Sequence, residues 1–203
     1  MAGRGRPRAF DRDQALRAAM LAFWRRGFEA VSTSELAAGM GISQSSLYAA
    51  FGDKQTLFRA AVDFYGDHEG SITRRALARS GPACEAVESL LRESADRFTD
   101  ASLPAGCMVV LAAANATPDN AAVQTFTAGL RRQEEQALRD RLHAAVLDGE
   151  LPASTDPAAL AAYYHSVLYG LSIQARDGAD RACLHAIVDQ AMATWPGSAR
   201  AFG

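Results

Sequence analysis

The sequence predicts an all-α chain, with an N-terminal three-helix module of helix-turn-helix type followed by a larger helical domain. Three observations predict it. Apolar residues recur three and four positions apart in segment after segment, and no stretch sustains period-2 alternation of β-branched residues. Glycine, proline and cap-forming side chains fall at the edges of those segments. The 203 residues, 49% hydrophobic and 22% charged, suit one or two compact domains, and this composition excludes collagen, disorder and disulfide scaffolds.

The first helix carries Leu16, Ala19, Met20, Phe23 and Trp24 on one stripe. Asp11 and Gln14 have the spacing of an N-terminal capping box, and Gly27 marks the stop. Ser32 and Glu35 repeat that spacing and open a short second helix through Leu36, Ala37 and Met40, which Gly41 ends by tolerating positive φ. Ser43 caps a third helix running to about Phe51, with Ile42 and Leu47 spaced as a hydrophobic staple and Leu47 and Ala50 facing inward. Gly52 and Asp53 break and recap the chain before a longer helix bearing Leu57, Phe58, Ala61, Val62 and Tyr65. Further on, the breaks at Gly81-Pro82, Pro104 to Gly106, Pro118 to Asn120, Gly149 to Pro157 and Gly178 predict helices near 83–100, 106–117, 120–148, 156–177 and 180–195. The expected organisation is a basic arm over 1–9, a helix-turn-helix domain over 10–53, a connecting helix over 54–80 and a regulatory and dimerisation domain over 81–203.

Charge divides the chain in the same place. Residues 1–65 hold nine Arg or Lys against six Asp or Glu, a balance of +3, whereas the remainder carries −5 within a net charge of −2. A basic head on an acidic body points to a polyanion partner for the head. Two short helices joined by a tight glycine turn, with a third completing the core, place the helix from Gln44 as the one shown to solvent. Gln44, Ser45, Ser46, Tyr48 and Ala49 lie on its outer face. Small and polar side chains let a helix enter a major groove, where Gln pairs with adenine and the Ala methyl meets a thymine methyl. Thr33 and Lys54 open the helices on either side, where backbone N–H groups and a partial positive charge suit phosphate, and the Tyr48 hydroxyl suits it too. Arg4, Arg6 and Arg8, kept from helix by Pro7, suit an arm lying in a narrow A·T-rich minor groove.

The stretch from Phe10 to Tyr65, with Gly41-Ile42-Ser43, Leu47-Tyr48, Phe51 and Lys54-x-x-Leu57, resembles the DNA-binding domain of TetR-type (TetR/AcrR) transcriptional regulators. The resemblance implies a helix-turn-helix DNA-binding domain followed by a helical ligand-binding and dimerisation domain. It also implies a homodimer with Thr33, Tyr48 and Lys54 at phosphates, Gln44, Ser45 and Ser46 nearest the bases, and Arg4, Arg6 and Arg8 in the arm. The expected partner is a palindromic double-stranded DNA operator, and the expected activity is that of a repressor released by a small-molecule effector.

One reading helix covers few base pairs, so specificity requires two copies about 34–36 Å apart. Leu160, Tyr163, Tyr164, Val167, Leu168 and Leu171, then Leu184, Ile187, Val188, Ala191, Met192 and Trp195, make stripes wider than one small domain buries. The dimer interface is therefore expected at Tyr163, Val167, Leu171, Leu184, Ile187, Val188 and Met192. The effector pocket is expected to be lined by Phe64, His68, Cys107, Met108, Leu111, Asn115, Phe126 and Tyr164, an apolar set with a few polar handles.

Rival readings are weaker. Cys107, at an expected helix start that would lower its thiol pKa, is the best nucleophile for an enzyme or a thiol-based redox switch, but no base is ordered beside it. The alternatives of a redox-responsive or a ligand-independent regulator keep the DNA contact. Cys84, Cys107 and Cys183 are odd in number and far apart, and the four histidines have no metal spacing, so no metal, cofactor or disulfide is expected. The longest apolar run, Cys107 to Ala114, is far below the roughly 18 residues of a membrane span. Asp11, Arg12 and Asp13 follow the basic start where a secretory signal would be apolar, so the cytoplasm is the expected compartment.

Overall fold

The computed structural model describes residues 11–197, so the arm residues Arg4, Arg6 and Arg8 lie outside the described residues. Ten α-helices follow one another without a strand among the described residues. They are α1 (Arg12–Ala30), α2 (Thr33–Met40), α3 (Gln44–Phe51), α4 (Lys54–His68), α5 (Ile72–Leu77), α6 (Ala83–Phe98), α7 (Met108–Leu111), α8 (Ala121–Leu147), α9 (Pro157–Arg176) and α10 (Arg181–Ala193).

The head folds as its caps dictate. Asp11 accepts from the backbone of Asp13 and Gln14, Ser32 and Glu35 close a full capping box, Ser43 accepts from Ser46 N, and Asp53 accepts from Thr56 N. Each satisfies donors that a helix N-terminus would leave unpaired, at about 0.5–2 kcal/mol apiece. Gly41 adopts the left-handed conformation at φ 69°, and Ile42 N reaches back to the Ala37 carbonyl, so the turn between α2 and α3 is fixed on both sides. The core beneath is aromatic. Phe58 meets Phe23 and Phe28 edge-on at 5.1 and 5.3 Å, and Trp24 meets Tyr65 edge-on at 4.9 Å.

This core does not stop at the head. Met108, Val109, Ala112 and Val123 belong to the same buried cluster, which makes α7 and the start of α8 part of the head's floor. A second cluster joins α5, α6, the end of α8, α9 and α10 around Val87, Leu91, Leu142, Tyr164, Leu171 and Leu184.

Three expectations are corrected. The segment 54–80 is two helices, because α4 ends at His68 and the chain folds so tightly that Gly70 N donates to the Tyr65 carbonyl at 2.7 Å. A Cβ at Gly70 would lie 2.4 Å from the Tyr65 ring, so the turn admits only glycine there. The expected helix over 106–117 is a single turn, because its carbonyls are used elsewhere. Ala112 O accepts from Phe28 N at 2.6 Å and Val109 O from Arg131 at 2.8 Å. The partner of Ala112 exists because Gly27 breaks α1 at φ 80°, ψ 167° and turns the next N–H outward. Finally, Leu171, Leu184 and Val188, expected at a dimer interface, are fully buried within the chain. The stripes on α9 and α10 are broad because their inner arcs pack on α6 and α8.

Candidate functional site

The outer face of α3 is built from its inner one. Leu47 and Phe51 anchor the helix in the core, while Ala50, expected inside, is only half-buried. Arg12 ties down the other end, donating to the Ala50 carbonyl at 3.3 Å with its guanidinium 4.6 Å over the Phe51 ring. A cation at a helix C-terminus complements the dipole there. Gln44, Ser45, Ser46, Tyr48 and Ala49 are all left in solvent, with Tyr48 49% exposed, the degree at which an aromatic ring is available to a partner.

Thr33 connects α2 to this face. Its hydroxyl lies 3.5 Å from Gln44 Nε2 and 3.4 Å from Tyr48 Oη, so three of the expected contact residues form one polar patch. Ser43 Oγ lies 2.8 Å from Ser45 Oγ and 2.9 Å from Ser46 Oγ, which orients the first turn of α3. Lys54 is held rather than free: its ammonium sits 4.4 Å over the Phe28 ring and 3.5 Å from the Glu29 carbonyl. Partial burial pulls its pKa down, opposed by Glu29 and Glu35. Glu35 is in turn held near 2 by its hydrogen bonds to Arg26 and to Ser32.

The head is fastened to the body by polar contacts as well as by the shared core. The Glu29 carboxylate accepts from Thr117 N at 2.7 Å, Thr117 Oγ1 at 3.0 Å and Asn120 Nδ2 at 3.0 Å, and these bonds lower its pKa. Gln55 donates to Asn120 at 3.1 Å, Arg59 covers Phe126 at 4.9 Å, and Arg176 bonds the carbonyls of Trp24 and Arg25. Arg97 of α6 stacks 4.8 Å over Trp24 and pairs with Glu69 at 3.3 Å.

Behind this junction lies a cavity of about 890 Å³, walled by α4 through α9. Val62, Tyr65, Ile72, Leu77, Phe98, Val109, Val110, Leu130 and Leu168 supply apolar wall, and Ser94, Cys107, Glu134, Arg141 and Tyr169 supply polar groups. Only Cys107 of the expected pocket residues lines it. Phe64 and His68 stack on each other at 4.1 Å on the far side of α4, and Asn115 is exposed. Met108 and Tyr164 are buried in the first and second clusters, Leu111 packs over Gly106, and Phe126 lies under Arg59. These side chains are apolar enough for a pocket but occupy the neighbouring arc of each helix. Glu134 and Tyr169 were not expected, because Glu134 stands in the charged run Arg131 to Glu135 and reads as solvated surface.

The thiol of Cys107 is not activated as the rival readings would require. Burial and the Glu134 carboxylate push its pKa up, and Tyr65 Oη donates to its sulfur at 3.5 Å. Among the described residues no cluster of His, Cys, Asp and Glu could hold a metal ion, and no helix is long and apolar enough to cross a membrane.

On the outer arcs of α9 and α10, Tyr163 and Ile173 are 41% and 49% exposed, and Val167, Ile187 and Met192 are half-buried. Ile173, absent from the expected interface, continues the spacing Tyr163, Val167, Gly170 along one face.

Comparison with known proteins agrees with this architecture. Residues 15–61 match the family described as bacterial regulatory proteins, tetR family, and residues 83–194 match the tetracyclin repressor-like C-terminal domain. The HTH-type transcriptional repressor ComR of Escherichia coli K12 is 34% identical over 199 residues, covering 95% of this chain and 92% of that one. BdcR, a second HTH-type transcriptional repressor of that organism, is 40% identical over 106 residues, covering 52% of this chain and 54% of its own. Among solved structures, a cysteine variant of the regulator CifR complexed with 26-base-pair double-strand operator DNA superposes with a TM-score of 0.90. It is 45% identical over 94% of this chain and all of that one.

Proposed function

The chain belongs to the tetR family of bacterial regulatory proteins, and from that membership we propose that it is a cytoplasmic transcriptional repressor that grips operator DNA as a homodimer and lets go when a small molecule fills its cavity. The single observation that carries the DNA half is the exposed polar patch of Thr33, Gln44 and Tyr48 on a helix anchored by Leu47 and Phe51. The chain as a whole resembles, at 45% identity, a neighbour that was solved on operator DNA. Gln44, Ser45 and Ser46 face the base edges, Thr33, Tyr48 and Lys54 hold phosphates, and the arm arginines Arg4, Arg6 and Arg8 run along the minor groove.

The release half rests on α4. Its inner side walls the cavity at Val62, Tyr65 and Gly66, while its first turn carries Lys54 and packs Leu57 and Phe58 into the head. A ligand that moves α4 therefore changes where the reading helix stands. It shifts the equilibrium only if it binds the two states with different affinity. Dimerisation through the outer arcs of α9 and α10, at Tyr163, Val167, Ile187 and Met192 together with Ile173, sets the separation of the two heads.

Footprinting on DNA around the protein's own gene, with and without candidate metabolites, tests both halves. Protection of a two-fold symmetric site, lifted by a metabolite that also raises thermal stability, is the expected result. Protection that no metabolite lifts supports the ligand-independent alternative. A redox-responsive alternative predicts release by peroxide that is lost in Cys107→Ser.

A further inference from the structure

Resting on the reading of the cavity as the effector site, we infer that its effector is an amphipathic cation, an apolar body bearing a basic amine that seats against the Glu134 carboxylate. Glu134 lines the cavity midway along α8 and makes no hydrogen bond or ion pair within the described residues. Its nearest cation on the same helix, Arg131, is committed to the Val109 carbonyl at 2.8 Å. An unpaired carboxyl group in an apolar cavity is costly unless a partner arrives.

The rest of the wall has the same bias. Asp63 and Asp67 lie one turn apart on α4 without a salt bridge among the described residues, and Glu69 is held by Arg97 and more loosely by Arg17. Of the two arginines in the wall, Arg141 bonds the neutral Gly81 carbonyl and keeps its charge, and Arg74 makes no salt bridge among the described residues, so Asp63, Asp67 and Glu134 stand against two guanidiniums. An anionic effector would meet this acidic excess, whereas a cation relieves it. Tyr169 Oη is shut off from solvent without a hydrogen-bond partner, and its ring stands close enough to Glu134 to feel its charge.

Burial raises Glu134 to about 7. The groups facing it are Arg131 on its own helix, Tyr65 on α4, Cys107 beside α7 and Tyr169 on α9, and burial pushes the last three up as well. None of the three is ionised near neutral pH, so only Glu134 changes charge there. Preference for an amine is then strong at pH 8 and weak at pH 6.

The test uses the full-length protein and three probes with one apolar body, decylamine, decanol and decanoate, at submicellar concentration in calorimetric titrations. At pH 8 decylamine is expected to bind at least about ten-fold more tightly than decanol or decanoate. The preference should shrink at pH 6 and vanish in Glu134→Gln, while decanol affinity stays within about two-fold. Equal or tighter binding of decanoate, an amine preference that survives Glu134→Gln, or binding of none of the three would overturn the inference. Operator binding is measured on the same preparations: its loss defeats the regulator reading and leaves the calorimetric result to stand by itself.

Discussion

Replacing Lys54 with Gln removes one positive charge from each head and little else. The ammonium is placed by the Phe28 ring and the Glu29 carbonyl, and losing that cation–π contact costs about 0.5–1 kcal/mol, so the fold should survive with its melting temperature lowered by about 1–4 °C. Each phosphate neutralised on duplex DNA contributes about 0.9 to the slope of log affinity against log salt. Two heads per dimer then remove about 1.8 from that slope. Across a four-fold rise in salt, from 50 to 200 mM, the variant should lose about ten-fold less affinity than the unaltered protein. Fluorescence anisotropy of a labelled operator in a salt series measures both slopes. An unchanged slope together with weaker binding at every salt concentration would refute the phosphate assignment, because a residue acting only through folding leaves the ion count alone.

Four further outcomes follow from the same geometry. Gln44→Ala should alter preference among operator variants by about 1–3 kcal/mol at one position per half-site while leaving the salt slope intact, as competition titrations would show. Gly27→Ala should destabilise the fold by about 1–3 kcal/mol in urea melts, since φ is +80° and the new Cβ would meet the Ala112 carbonyl at 3.3 Å; an unchanged midpoint would contradict this. Glu134 has a raised folded pKa, so the folded state holds a proton that the unfolded state has already lost, and stability falls as pH rises from about 4.5 to about 7. Glu134→Gln should flatten that fall by about 2–3 kcal/mol. His165, whose pKa burial lowers, loses stability in the opposite direction as pH falls through its unfolded value, so the difference between variant and parent is the quantity to read. Ile173→Asp should shift a light-scattering mass of twice 21.6 kDa toward the monomer, and a dimer unmoved by it would remove Ile173 from the interface.

The head was legible in the sequence because its information is local. A Ser-x-x-Glu box at Ser32 and Glu35, a glycine at Gly41 and a cap at Ser43 each fix geometry within four residues, and all three stand in the structure as the spacing predicts. The body was less so, because its geometry is decided at a distance. The apolar run from Met108 to Ala113 reads as helix, yet the carbonyls that a longer helix would need accept from Phe28 and Arg131. Broad stripes on α9 and α10 announce two buried faces without saying which belongs to the chain itself, so Leu184 and Val188 were assigned to a partner they do not face. The cavity was legible only at Cys107. Nothing in the run Arg131 to Glu135 separates Glu134 from its solvated neighbours, since one helical step decides which carboxylate points inward.

Whether two copies of the α3 face read duplex DNA together is decided by selecting bound sequences from a randomised duplex pool with the purified protein. Enrichment of an inverted repeat whose half-site centres are about one helical turn apart, or a multiple of it, and which Gln44→Ala re-specifies, is the expected result. A folded protein that enriches no sequence, or enriches single sites without two-fold symmetry, would contradict it.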